Sequence, residues 1–154
     1  MRVGVILHVE DNASNRKLVR DLLVTRGYPL VEAETGEEAL ALAERTRPRL
    51  VLMDLQLPTL SGLAVTERLR AHPDLGRVPI VAVSALALRA DVERATAAGC
   101  NAVLIKPYDP MALLRLVERF FGPPPEAGAT GDENDRIGSG DEAERGRRED
   151  PEGV

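Results

Sequence analysis

Three carboxylates, a hydroxyl and an ammonium stand at the ends of apolar runs in this chain. Glu10 and Asp11 follow one run, Asp54 ends a second, Ser84 a third and Lys106 a fourth. Oxygen ligands suit hard divalent cations, and Mg2+ takes one or two carboxylates together with waters and phosphate oxygens. Asp11 and Asp54 suit direct ligation, while the longer Glu10 suits ligation through water. Asp54, its backbone carried by Leu50-Val51-Leu52-Met53, is also a reasonable nucleophile toward a phosphoryl group. Lys106 would bind one phosphoryl oxygen from the side opposite the metal. Each residue has a plainer reading as well: Glu10-Asp11 as acids opening a helix, Asp54 as a turn residue, Lys106 as a surface charge. Taken together, they favour a phosphoryl site.

Such residues can meet only in a fold that brings strand ends to one edge, as an open parallel sheet does. Val3–Val9 reads as a buried strand, apolar and without helical gaps. Leu18, Val19, Leu22 and Leu23 then follow helical spacing, with Ser14 or Asn15 as cap and Gly27 as terminator. Pro29–Ala33 is a weaker strand. Thr35, three residues before Glu38, opens a helix through Leu40, Leu42 and Ala43 that Pro48 closes. Leu50–Met53 is the strand that delivers Asp54, and Leu63–Leu69 is helical up to His72-Pro73. Pro79–Val83, Asp91–Ala98, Ala102–Ile105 and Pro110–Phe121 continue the alternation of strand and helix. Five strands and five helices in this order predict an α/β, doubly wound, mainly parallel sheet covered on both faces.

The chain has 154 residues, enough for one such domain with some surplus. Aromatic residues are only 3% of the total, so the core must be built from Val, Leu, Ile and Ala. A net charge of −5 argues against nucleic acid or an anionic membrane surface as partner. Cys100 is the single cysteine, which excludes an intrachain disulfide and fits a reducing compartment. No run reaches the ~20 apolar residues of a membrane span, and the start is too short and too acidic for a signal peptide. A cytoplasmic location is expected. From Gly122 onward the periodicity stops: residues 122–154 hold ten acids and four arginines, with Ile137 and Val154 as their only large aliphatic residues. That composition buries too little to offset ordering entropy, so the segment reads as a disordered acidic tail after a domain spanning residues 1–121.

Glu10-Asp11-Asn12, Asp54 with Pro58 and Gly62, Ser84-Ala85 and Lys106-Pro107 resemble, in order, the motifs of the receiver domain of bacterial two-component response regulators. The resemblance covers roughly residues 3–121 and implies a flavodoxin-like sheet of order 2-1-3-4-5. It implies that Asp54 accepts a phosphoryl group from a sensor histidine kinase or phosphotransfer protein. Asp11, Asp54 and the main-chain carbonyl of Gln56 would ligate Mg2+, with Glu10 acting through water. Lys106 would pair with the phosphoryl group, the Lys106-Pro107 bond would be cis, and Ser84 would turn its hydroxyl onto a phosphoryl oxygen beside the small Ala85. The chain departs from the family pattern at Val103, where an aromatic residue is usual, so an aromatic readout there is lost. Tyr108 is expected to pack beneath the last helix, and Leu57 replaces a common methionine at little cost.

The resemblance makes the chain a single-domain signalling switch that acts through protein partners, because the tail has no core for an output domain. An aspartate-nucleophile phosphatase is the first alternative, but it needs an acid two residues after the nucleophile and Gln56 stands there. A phosphate-independent flavodoxin-like binding module is the second. His8 is expected to be a satisfied core histidine and His72 a solvent-facing loop residue. No glycine-rich phosphate cradle is present.

Overall fold

The structure, a computed structural model, describes residues 4–125. Strands and helices alternate throughout: β1 (Ile6–Val9), α1 (Ala13–Val24), β2 (Leu30–Ala33), α2 (Gly36–Thr46), β3 (Leu50–Asp54), α3 (Gly62–Ala71), β4 (Ile80–Ser84), α4 (Arg89–Ala98), β5 (Ala102–Ile105) and α5 (Pro110–Phe120). The five strands form one parallel sheet of order β2-β1-β3-β4-β5, the expected topology.

Side chains alternate across a strand, and here that alternation sorts the apolar residues into two cores. Leu7, Val9, Val51, Met53, Ile80 and Ala82 pack with Ala39 and Ala43 of α2, Val65 and Leu69 of α3 and Ala95 of α4. Ile6, Leu50, Leu52 and Val81 pack on the other face with Val19 and Leu23 of α1 and Leu113, Leu114 and Val117 of α5. β3 and β4 are buried along their whole length. A one-residue slip of β3 would exchange the residues facing the two cores, so burial on both sides pins the register. That register is what sets Asp54 at the edge, opposite Val83.

Element ends follow local chemistry, with small corrections to expectation. α1 is capped by Asn12, whose Oδ1 accepts from the Asn15 amide at 2.9 Å, and not by Ser14 or Asn15. The helix therefore begins directly after the acidic pair. Thr35 caps α2 as expected, but Glu38 reaches back to the Glu34 amide. α2 stops one residue ahead of Pro48's neighbourhood, at Arg47 in the left-handed region with φ 49°. α3 and α4 start earlier than their apolar spacing suggested, at Gly62 and Arg89. Val3, expected in β1, and residues 126–154 of the acidic tail lie outside the described residues.

Candidate functional site

The C-terminal ends of β1, β3, β4 and β5 gather Glu10, Asp11, Asp54, Ser84 and Lys106 at one edge of the sheet. Glu10, Asp11 and Asp54 each present a carboxylate oxygen within 4.8 Å of the others, a donor set of the hard-oxygen kind that suits Mg2+. Two of the three are buried, Glu10 to 3% exposure and Asp54 to 4%. Buried carboxylates need partners, and these have them. Lys106 Nζ donates to Glu10 Oε1 at 3.1 Å and lies 3.5 Å from Asp54 Oδ2. Asp54 Oδ1 accepts from the Gln56 amide at 2.9 Å, and Glu10 Oε2 accepts from the Asn12 amide at 3.3 Å. Asp11 remains exposed.

Three carboxylates against one ammonium leave the edge with an excess of negative charge. Burial, the largest influence on Lys106, would lower its pKa, yet the Glu10 hydrogen bond and the charges of Asp54 and Glu10 outweigh it and hold the ammonium above its ordinary value. Lys106 is therefore a permanent cation. Its own backbone amide is fixed by the Ser84 carbonyl at 2.8 Å, and the following peptide bond to Pro107 is cis, as expected.

The backbone around Asp54 is tightly determined. A Cβ at Gly62 would stand 2.3 Å from the Asp54 carbonyl oxygen and 2.7 Å from the Leu55 Cα, so α3 can begin this close to the strand end only with glycine there. Thr59 takes φ 67°, uncommon for a β-branched residue, in a tight turn closed by the Leu60 amide on the Pro58 carbonyl at 2.8 Å. Arg16 braces the next loop, donating to the Glu10 carbonyl at 2.9 Å and approaching the Glu34 carboxylate at 3.5 Å.

Ser84 belongs to the edge but is turned aside. Its Oγ accepts from Gln56 Nε2 at 3.0 Å and from the Leu86 amide at 2.9 Å. Gln56 Oε1 accepts in turn from the Ala85 amide at 3.0 Å. The Gln56 side chain thus spans the loops after β3 and β4. Sequence reasoning weighed this residue for its carbonyl and for its lack of an acid, and missed its carboxamide. The only sequence signal was an amide, both donor and acceptor, two residues past a strand end.

Other expectations divide. Val103 is half-buried against the core shared by α2, α3 and α4. Tyr108 is partly buried against the α1–α5 core, where burial pushes its hydroxyl pKa up. It also lines an apolar cavity of about 500 Å³ between α1 and the β5–α5 loop, with Leu18, Leu22 and Leu113. His8 is buried, but its Nδ1 lacks a hydrogen-bond partner, which corrects the expectation of a satisfied ring. Burial drops its pKa to about 4 against the opposing pull of Glu10 and Glu32, so the imidazole stays neutral. His72 is not a free loop residue: Nε2 pairs with Glu44 at 3.1 Å and Nδ1 accepts from the Asp74 amide at 3.0 Å. No helix among the described residues is long and apolar enough to cross a membrane.

A family model described as the response regulator receiver domain matches residues 6–118. The polar-differentiation response regulator DivK of Brucella anthropi is 41% identical over 117 residues, covering 76% of this chain and 95% of that protein. Among solved structures, the receiver domain of a Pseudomonas aeruginosa sensor histidine kinase, described with a magnesium ion in its active site cleft, aligns with TM-score 0.72 at 38% identity. That alignment covers 79% of this chain and 99% of the other. Vibrio cholerae chemotaxis protein CheY4 aligns with TM-score 0.73 at 27% identity over 77% of this chain and 99% of its own.

Proposed function

The chain belongs to the response regulator receiver domain family, and from that premise we propose that it is a single-domain switch thrown by a phosphoryl group on Asp54. The observation that carries this reading is the Asp54 carboxylate itself: 4% exposed, 3.5 Å from Lys106, and clustered with two further acids. A carboxylate oxygen of Asp54 attacks the phosphorus of a phosphohistidine on a sensor kinase or phosphotransfer protein. The P–N bond breaks, its electron pair leaves with the imidazole, and an aspartyl phosphate remains. Lys106, already a fixed cation, receives one phosphoryl oxygen. Asp11, Asp54 and the main-chain carbonyl of Gln56 would hold Mg2+ directly, and Glu10 through water. Bound there, Mg2+ would neutralise the charge of the incoming phosphoryl oxygens. Ser84 would turn its hydroxyl to another oxygen, and the added charge would bias the surface offered to a downstream protein.

The reading includes no turnover of external esters. An aspartate-nucleophile phosphatase would need an acid at position 56, where the Gln56 carboxamide cannot supply a proton and is engaged with Ser84 and Ala85. Residues 1–121 would constitute the receiver unit, working in the cytoplasm, with 122–154 as a separate acidic segment.

Incubating the full chain with acetyl phosphate and Mg2+ and measuring its intact mass tests the proposal. One phosphoryl adduct is expected, absent from Asp54→Asn and from samples with the metal chelated. Rapid multiple turnover of the acetyl phosphate would support the phosphatase reading, and no adduct the passive module.

A further inference from the structure

Gln56 makes three hydrogen bonds at the edge, and together they link the Asp54 carboxylate to the last residue of β4 and the residue after it. Its backbone amide donates to Asp54 Oδ1 at 2.9 Å, its Nε2 to Ser84 Oγ at 3.0 Å, and its Oε1 accepts from the Ala85 amide at 3.0 Å. The Leu86 amide takes the remaining acceptor site of Ser84 at 2.9 Å. The Ser84 oxygen is thus held as an acceptor by Gln56 and Leu86, while its proton is aimed only weakly at the Leu86 carbonyl 3.5 Å away. The Ala85 amide, at an exposed position, is committed as well.

A phosphoryl group offers three strong acceptor oxygens and seeks donors. Beside Asp54, the donors of the β4–α4 loop are the Ser84 hydroxyl and the Ala85 amide. The carboxamide of Gln56 touches both, in different ways: its Oε1 occupies the Ala85 amide, whereas its Nε2 donates to the Ser84 oxygen and fixes the hydroxyl's position without taking its proton. We infer that Gln56 is a positioning residue whose side chain clips the β4–α4 loop in the resting protein, its Oε1 competing with the phosphoryl oxygens for the Ala85 amide and its Nε2 anchoring the Ser84 oxygen. Phosphorylation must displace this clip. Displacement is feasible because Gln56 is solvent-exposed, and its freed carboxamide can be rehydrated. Gln56 therefore sets how readily a phosphoryl group captures the loop. This inference rests on the phosphoryl reading of Asp54, and its test is chosen to separate the two.

The test titrates beryllium and fluoride salts, which form a phosphoryl mimic on a carboxylate, into the full chain at saturating Mg2+. Binding is followed by 19F resonance and by the Ala85 amide resonance. Gln56→Met, which keeps length without hydrogen bonds, and Gln56→Ala are both exposed changes that leave the fold intact. Each is expected to bind the mimic about tenfold more tightly than wild type, the worth of one net hydrogen bond. In both, Ala85 amide exchange in the absence of the mimic should be faster. In a Ser84→Ala background the gain from Gln56→Met should fall to a fraction of its value, since the carboxamide has already lost the Ser84 oxygen that anchors it over the Ala85 amide. Equal or weaker mimic binding by both Gln56 variants, with wild type binding normally, overturns the clip. Failure of wild type to bind, or normal binding by Asp54→Asn, overturns the phosphoryl reading and the clip with it.

Discussion

The two ends of the sheet use polar groups in opposite ways. Where the strands begin, charged and polar side chains are spent on backbone carbonyls. Arg70 donates to the carbonyls of Gly76, Val78 and Gly99 and to Asn101 Oδ1, tying the loops that precede β4 and β5. Asn101 Oδ1 also accepts from the Ile80 amide. Arg49 donates to the Phe121 carbonyl at 2.9 Å while its guanidinium lies 4.5 Å from that ring's centre, and the Tyr28 hydroxyl donates to the Gly122 carbonyl at 2.8 Å. Where the strands end, acceptors outnumber donors: three acids cluster, and two of them, Glu10 and Asp54, share one lysine. One end is saturated and holds the fold. The other is left short of positive charge, and that shortage is what a bound divalent cation would relieve.

Breaking the saturated end should cost stability without touching the chemistry. Arg70→Met removes five hydrogen bonds and strands several carbonyls; a loss of about 3 kcal/mol is expected in urea unfolding. The surviving folded protein should still acquire its acetyl phosphate adduct, and loss of that adduct in folded Arg70→Met would erase the division between the ends.

His8 probes the ground between them. Its folded pKa of about 4 lies below the ordinary 6.5, so the unfolded chain binds a proton that the native one refuses. Stability should be complete above about pH 6.5 and fall as pH drops toward 4, by up to roughly 3 kcal/mol. His8→Leu should flatten that part of the stability–pH curve, and an unchanged slope would show that the burial of the ring has been misjudged.

The smallest effect belongs to the charge-rich end. Asp11→Asn removes one exposed repelling acid, so metal-free protein should gain roughly 0.5 kcal/mol in thermal unfolding while Mg2+ affinity falls. A destabilised Asp11→Asn without metal would contradict the surplus of negative charge.

The legible parts of this molecule were those written in short periods. Continuous apolar runs in β3 and β4, helical spacing in α1 and α5, and strand-end acids each lie within a few neighbouring residues, and all three appear where the pattern put them. What escaped was carried by long-range partners. Gln56 meets Ser84 across 28 positions and Arg70 meets Gly99 across 29, and neither partner can be read from the neighbouring residues. Asn12 was legible as part of a ligand motif, which hid its second task as the cap of α1. His8 was placed correctly in a buried strand, yet its unpartnered nitrogen depends on what residues distant in sequence fail to offer.

Gly62 makes the site depend on an atom that is missing. Because the first turn of α3 rests against the Asp54 carbonyl, any larger residue must wedge helix and strand apart. The damage would travel along the main chain to the carboxylate, with no side-chain contact to announce it. A survey that inspects only charged and hydroxylated positions would overlook the residue that sets the depth of the cleft.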